Sequence, residues 1–262
     1  MIHGLNNTFL YAAKKIITVC SNGTDNEGFR GTGFFIQKED VFYFITNRHM
    51  VEPGYCNPKY KGYKLIEFNI ESYEGFDSAN IPNGLKSASI VNFSDFKFDQ
   101  NVHNDVACIK APKVVGGMTV NSTIPYSMLA TENWISEKLS VCDTIAYPGF
   151  PKWYDRQNNT PIFRMGTIAS DPRFNYSCSP GAPISSQIAY EGFSSGGASG
   201  SPVFAIQRGF KTGGAISAPD DFYREVKLIG INAGHFEDQI GHSGVSYFYK
   251  ASVIHDIINA TN

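Results

Sequence analysis

The feature that most restricts the fold is a succession of short β-branched and aromatic runs, each soon closed by turn residues. Residues 15–20 read Lys-Ile-Ile-Thr-Val-Cys, 31–36 read Gly-Thr-Gly-Phe-Phe-Ile and 41–46 read Val-Phe-Tyr-Phe-Ile-Thr, with Lys38-Glu39-Asp40 as a turn between the last two. Such side chains fit a pleated, half-buried surface and lose rotamer freedom in a helix. The 25 glycines, 13 prolines, 20 phenylalanines and 14 tyrosines follow the same pattern, which suits many short strands. A chain of 262 residues, 42% hydrophobic, has material for a sizeable core without cross-links. The reading is all-β.

Strand candidates continue at 65–70 and 87–93, and the apolar run Val106-Ala107-Cys108-Ile109 starts just after Asp105 and ends at Ala111-Pro112. Residues 113–138 read as a connection between halves, with Gly116-Gly117 and a short helix near Thr131. The pattern repeats at 140–146, 162–168, 187–189, 201–206 and 227–231, which suits a second barrel. Ser252 is placed to cap a final helix in which Val253, Ile254, Ile257 and Ile258 share one face. The expected division is 1–120, with His49 and Asp105, and 121–262, with Ser199 and the terminal helix, the two forming one functional unit.

The formal charge of −2 is dispersed, with no basic arm or acidic tail, so nucleic acid is not an expected partner. The stretch 59–64, Lys-Tyr-Lys-Gly-Tyr-Lys, reads as an exposed strand. Five scattered cysteines, an odd number, are expected to be reduced and mostly structural. The start Met-Ile-His-Gly-Leu-Asn-Asn has no cationic segment leading into an apolar stretch, and no later window approaches a membrane span. The expectation is a cytoplasmic protein with no membrane partner.

Three segments carry chemistry: Thr46-Asn47-Arg48-His49, Asn104-Asp105-Val106-Ala107 and Gly197-Ala198-Ser199-Gly200-Ser201-Pro202. A serine hydroxyl is a weak nucleophile at neutral pH, so it needs a base within reach and a third group that fixes the imidazole tautomer. Ser199, His49 and Asp105 supply those types, each at a strand boundary. In such a cycle Ser199 attacks a peptide carbonyl, His49 carries the proton to the leaving amine and Asp105 stabilises the imidazolium. The glycines around Ser199 suit a tight turn that aims the N–H groups of Gly197 and Ser199 at a developing oxyanion. No cofactor and no metal are called for. His3, His103, His235, His242 and His255 lack ligand spacing, although His235 and His242 are near enough in sequence to approach one another. The esterase elbow Gly-x-Ser-x-Gly is not met, because Ser201 takes its last place, and the order His, Asp, Ser differs from that of the α/β-hydrolases.

On these motifs most of the chain resembles the trypsin-like serine peptidases, and within them the HtrA/Deg branch. Gly31-Thr32-Gly33-Phe34 is similar to an early Gly-x-Gly-Phe strand, and Ile45-Thr46-Asn47-Arg48-His49-Met50-Val51 to a Leu-Thr-Asn-x-His-Val-Val segment. Asn104 to Lys110 resembles an Asp-Leu-Ala-Leu-Ile-Lys strand, Tyr147-Pro148-Gly149 and Met165 to Ile168 resemble pieces of the second barrel, and Gly197 to Pro202 matches Gly-x-Ser-Gly-x-Pro. Ile229-Gly230-Ile231-Asn232 is similar to the strand on which substrate lies. The resemblance implies two six-stranded antiparallel β-barrels of the chymotrypsin type with a C-terminal helix. It implies a serine endopeptidase acting on a protein or peptide substrate through an acyl-enzyme. It also implies that Phe193, with Ile231, Asn232, Ala233 and Gly234, borders the subsite for the side chain preceding the cut. No Asp stands at the base of that subsite, where Phe193 is placed, so a small or medium apolar side chain is expected there and Arg or Lys is not.

Departures from the pattern carry expectations as well. Ser201 replaces a second glycine and is expected to tighten the turn. Ala198 stands where digestive trypsins carry Asp, so activation by a freed N-terminus is not implied. The chain ends after its terminal helix, so no PDZ domain is expected. The alternative reading is a weak or latent binding module of the same fold, activated when a protein partner orders the glycine-, proline- and serine-rich loops at 149–161 and 177–197.

Overall fold

A computed structural model describes residues 5–209, 223–239 and 241–261, so His3 lies outside the described residues. Nine strands form the sheet of the first half: β1 (Ala13–Ser21), β2 (Asn26–Lys38), β3 (Val41–Thr46), β4 (Lys64–Phe76), β5 (Pro82–Ile90), β6 (Lys97–Phe98), β7 (Ala107–Lys110), β8 (Val114–Val115) and β9 (Ile124–Pro125). Their order is β6-β7-β3-β2-β1-β4-β5-β8, with β9 parallel to β2. The second half closes six strands into a barrel: β10 (Thr144–Gly149), β11 (Ile162–Ile168), β12 (Gln187–Glu191), β13 (Pro202–Ala205), β14 (Lys227–Asp238) and β15 (Gly241–Lys250). The chymotrypsin-type pair is thus present, its first member a half-barrel of nine strands.

The continuous apolar runs have a packing cause. Phe34, Ile36, Tyr43, Ile45 and Cys108 face a cluster shared with Phe204 and Ile231 of the second half. Their neighbours Phe35, Phe44, Ala107 and Ile109 turn the other way, onto Ile16, Phe68 and Ile70 inside the half-barrel. Alternate residues of β2, β3 and β7 therefore enter two different cores, which removes the polar face expected of a solvent-facing sheet. Ile145, Tyr147, Ile188, Tyr190, Val203, Ile229 and Phe248 fill the closed barrel.

Two helices complete the chain. α1 (Glu132–Lys138) starts where the sequence places it, with the Thr131 hydroxyl accepting from Trp134 N at 3.2 Å. α2 (Ala251–Ala260) lays Val253, Ile254, Ile257 and Ile258 on the shared cluster, as its periodicity requires. Ser252 does not cap it. β15 runs directly into the helix, Lys250 occupies the N-cap, and the Ser252 hydroxyl donates instead to Glu132 Oε2 at 2.9 Å. Because Ile254 is 0% exposed at the junction of both halves, Ile254→Ala is expected to lower the unfolding free energy by about 2–5 kcal/mol. Urea denaturation reads this directly, and a loss below about 1 kcal/mol would mean that α2 is only loosely docked.

All five cysteines are unpaired, with Cys20 and Cys108 buried. Among the described residues no helix is long and apolar enough to cross a membrane.

Candidate active site

β3 ends at Thr46, and a short 3-10 turn over Arg48–Met50 follows it and carries His49. β7 pairs antiparallel with β3, Thr46 opposite Ala107, so the residue entering one strand sits beside the residue leaving the other. Asp105 therefore meets His49. Its carboxylate accepts from His49 Nδ1 at 2.6 Å and from the His49 backbone N–H at 2.8 Å. A carboxylate only accepts, so this contact assigns the proton to Nδ1 and leaves Nε2 as the basic nitrogen. The flanking asparagines hold the pair in place. Asn47 Nδ2 donates to the Asp105 carbonyl at 2.7 Å, while Asn104 donates to Asp99 at 2.9 Å and accepts from Ser186 N of the second half at 2.9 Å. Burial opposes a charge on the imidazole, but the Asp105 charge and hydrogen bond, with smaller help from Cys56, outweigh it and raise the His49 pKa above its ordinary 6.5.

The serine segment is pinned to the strand end from which His49 projects. Thr32 on β2 donates its N–H to the Ser199 carbonyl at 2.8 Å and its hydroxyl to the Gly197 carbonyl at 2.7 Å, and Thr46 donates to the Thr32 carbonyl at 3.0 Å. Gly200 N–H donates to the Asn232 carbonyl at 2.8 Å, which fixes the other side of the turn to β14. Glycine is required twice here. Gly197 has φ +94° and Gly200 φ +86°, and a Cβ at these positions would lie 2.3 Å from the Phe150 carbonyl oxygen and 1.8 Å from that of Thr32. The Ser199 hydroxyl donates to the Ala233 carbonyl at 3.2 Å rather than to His49. Ser201 closes the turn through its backbone, donating to Ala198 O at 3.1 Å and accepting from Asn232 N at 2.9 Å, while its buried hydroxyl has no partner among the described residues. The turn is tightened by the main chain rather than by that hydroxyl.

The backbone amides of the turn divide into two groups. Those of Ala198, Gly200 and Ser201 donate to Ser195, Asn232 and Ala198 carbonyls. Those of Gly197 and Ser199 donate to no group among the described residues. The Gly196 carbonyl accepts from Lys152 N at 3.2 Å, so the N–H at the other end of that planar peptide, on Gly197, points the opposite way. Two such donors, one on the residue that carries the hydroxyl and one two residues before it, are of the type that can stabilise an anion.

The residues expected at the substrate subsite separate by role. Phe193 is 60% exposed beside the turn. The Ile231 side chain is buried in the shared core, and its backbone pairs with Pro202 on β13 and Tyr249 on β15. Asn232 is fully buried, accepting from the Tyr190 hydroxyl at 2.7 Å and donating to Ser194 Oγ and Ala198 O, both at 2.9 Å. β13 pairs with β14 no further than Ile231, so the edge of β14 available to a peptide begins at Ala233 and Gly234.

Cys56 was not singled out by sequence reasoning. Its Sγ lies 3.8 Å from Asp105 Oδ2, and the ligand atoms of His49, Cys56 and Asp105 fall within 4.8 Å of one another, a set that a borderline-soft divalent cation could engage only by displacing the His49–Asp105 proton. His235 and His242 do approach one another, their rings stacked at 4.3 Å and 11°. The signal for that contact was the β14–β15 hairpin, whose second strand lacks a β-rich start. A cavity of about 690 Å³ between Leu5, Phe163, Arg208 and Arg224 shares no residue with the site.

Residues 31–211 match the family model for the trypsin-like peptidase domain. Among solved structures, the fold is similar to that of the HtrA-type protease AlgW with tripeptide, at a TM-score of 0.55 and 14% identity over 96% of this chain and 60% of AlgW. It is also similar to that of the protease Anisep from Arthrobacter nicotinovorans, at a TM-score of 0.55 and 14% identity over 95% of this chain and 94% of Anisep. At such identities the likeness is one of fold. No curated protein matches the sequence.

Proposed function

From the premise that this chain belongs to the trypsin-like peptidase family, we propose that it is a serine endopeptidase that cleaves protein or peptide chains through an acyl-enzyme formed on Ser199. The observation that carries this reading is the pair of N–H donors on Gly197 and Ser199 that bond no group among the described residues, while the amides of Ala198, Gly200 and Ser201 are bonded. A collapsed turn would have paired them internally.

Substrate lies along the edge of β14 from Ala233. The Ser199 hydroxyl leaves the Ala233 carbonyl and turns to His49 Nε2, which takes its proton as Oγ bonds the substrate carbonyl carbon. The carbonyl π pair moves onto oxygen, where the Gly197 and Ser199 amides stabilise it. Collapse re-forms the carbonyl and breaks the C–N bond, and the imidazolium, stabilised by Asp105, protonates the leaving amine. Water then repeats the sequence on the ester and frees Ser199. The rest state with Ser199 bonded to Ala233 is compatible with activation by substrate alone, since one neutral hydrogen bond is worth about 1 kcal/mol.

The test is a digest of a denatured proteome by wild type and by Ser199→Ala, read by mass spectrometry of new N-termini. New termini are expected with wild type alone, and equal yields from both proteins would refute the reading. Gly197→Ala should lower kcat by about 100- to 1,000-fold with KM changed much less, because the displaced amide serves the transition state. A loss confined to KM would remove Gly197 from the oxyanion site.

A further inference from the structure

Beyond Ser199, the segment before the turn and the β14–β15 hairpin enclose a group of hydrogen-bond donors. Gly192 N–H donates to the Gly244 carbonyl at 2.8 Å, Ser194 N–H donates to Ser246 Oγ at 3.2 Å, and Ser246 Oγ donates to the Gly192 carbonyl at 2.8 Å. The His242 ring sits between Phe193, at 4.9 Å, and His235, at 4.3 Å. Gly244 N–H donates to His242 Nδ1 at 2.9 Å, so the ring proton is on Nε2. That Nε2 is 3.4 Å from Ser246 Oγ, a long contact, and the Ser194 backbone also acts on the ring.

Arg164 approaches the same place from β11. It is the register partner of Tyr147, whose hydroxyl donates to the Phe193 carbonyl at 3.4 Å; it acts on Tyr147 by charge and by a side-chain hydrogen bond, and on His242 by charge. Among the described residues Arg164 makes no ion pair. Glu237, one of two acidic residues on this hairpin, is engaged with His235 at 3.6 Å and is 77% exposed. A Cβ on Gly196 or Gly244 would meet nothing within 4 Å, so the approach between them is open. The region offers a guanidinium with no ion pair among the described residues and an imidazole N–H on which the exposed Glu237 is the acidic group that acts, next to the turn that holds Ser199.

We infer that the subsite for the side chain preceding the cut selects an acidic residue, whose carboxylate is held by Arg164 and His242; this rests on the peptidase reading and deepens it. A carboxylate supplies the acceptors and the negative charge that the donors lack, whereas a lysine or arginine meets Arg164 as a like charge. An apolar side chain would desolvate the guanidinium without replacing its hydrogen bonds. The apolar preference expected from the sequence is replaced on this account, because Phe193 is turned onto His242 and does not line the base alone.

The experiment uses four fluorogenic peptides that differ only in Glu, Gln, Leu or Lys before the cut. The expected kcat/KM for Glu exceeds that for Leu and Lys by at least about a hundredfold, and that for Gln by about tenfold or more. Arg164→Gln should bring the Glu-to-Gln ratio near unity, and Arg164→Lys should restore part of it, whereas purely structural damage would lower all four rates alike. Preference for Leu or Lys, or a Glu-to-Gln ratio unmoved by Arg164→Gln, would overturn the inference. Fluorophosphonate labelling of Ser199 in the same samples separates the two levels. A labelled enzyme that ignores Glu overturns the acidic subsite alone, and a protein that neither labels nor cleaves overturns the peptidase reading with it.

Discussion

Ser199→Ala is expected to lower kcat by about a millionfold and to abolish covalent labelling by a fluorophosphonate, with the fold intact. The size follows from losing the whole covalent pathway, since neither His49 nor the Gly197 and Ser199 amides can act on an acyl-enzyme that does not form. The structural effect should be small. The hydroxyl makes one hydrogen bond, to Ala233, and the backbone bonds that pin the turn to Thr32 and Asn232 do not involve it. Unfolding free energies of the two proteins should therefore differ by no more than the roughly 1 kcal/mol of one hydrogen bond. Labelling that survives the substitution would point to another nucleophile, with the unpartnered Ser201 hydroxyl as the first to examine.

Asp105→Asn is the second large effect, about ten-thousandfold in kcat near neutral pH. The amide nitrogen of asparagine donates where the carboxylate accepted from His49 Nδ1, so the ring proton moves to Nε2 and the base is lost. The pH profile carries an independent signature. Asp105 raises the pKa of His49 above 6.5, so the wild-type kcat/KM should climb with pH along a limb centred above that value. In Asp105→Asn the raising charge is gone while burial still lowers the pKa, so the limb should move to 6.5 or below. Stability follows the same linkage. A group with a raised folded pKa contributes its full stabilisation below 6.5 and loses it as pH rises through the folded value, and the substitution should flatten that alkaline decline. A limb that stays in place would mean that another group titrates.

Much of the fold was legible because β2, β3 and β7 carry unbroken apolar runs, and a strand buried on both faces has no other composition available. α2 was legible from its one-sided isoleucines and valine, and α1 from the threonine that caps it. β15 was not. Its sequence opens Gly-His-Ser-Gly, and that start is strand because Asp238 and Glu237 of β14 pair with Gly241 and His242, whereas β12 pairs only from Val245 onward. The helix cap failed for the same cause, since the end of β15 fixes where α2 begins and leaves Ser252 inside its first turn.

At the proposed site, the residue types and their order could be read before any coordinates, because the acyl transfer proposed for it needs a nucleophile, a base and an orienting acid whatever fold supplies them. Geometry had to come from elsewhere. Antiparallel pairing of β3 with β7 converts positions 49 and 105 into neighbours, and Thr32, remote from both in the chain, anchors residues 197 and 199 against them. The direction of the Gly197 amide, the thiol beside Asp105 and the place of Arg164, which makes no ion pair among the described residues, were decided by tertiary structure alone. Each depends on which carbonyl, carboxylate or ring another segment brings within hydrogen-bond distance, and a linear pattern records local preference without recording those meetings.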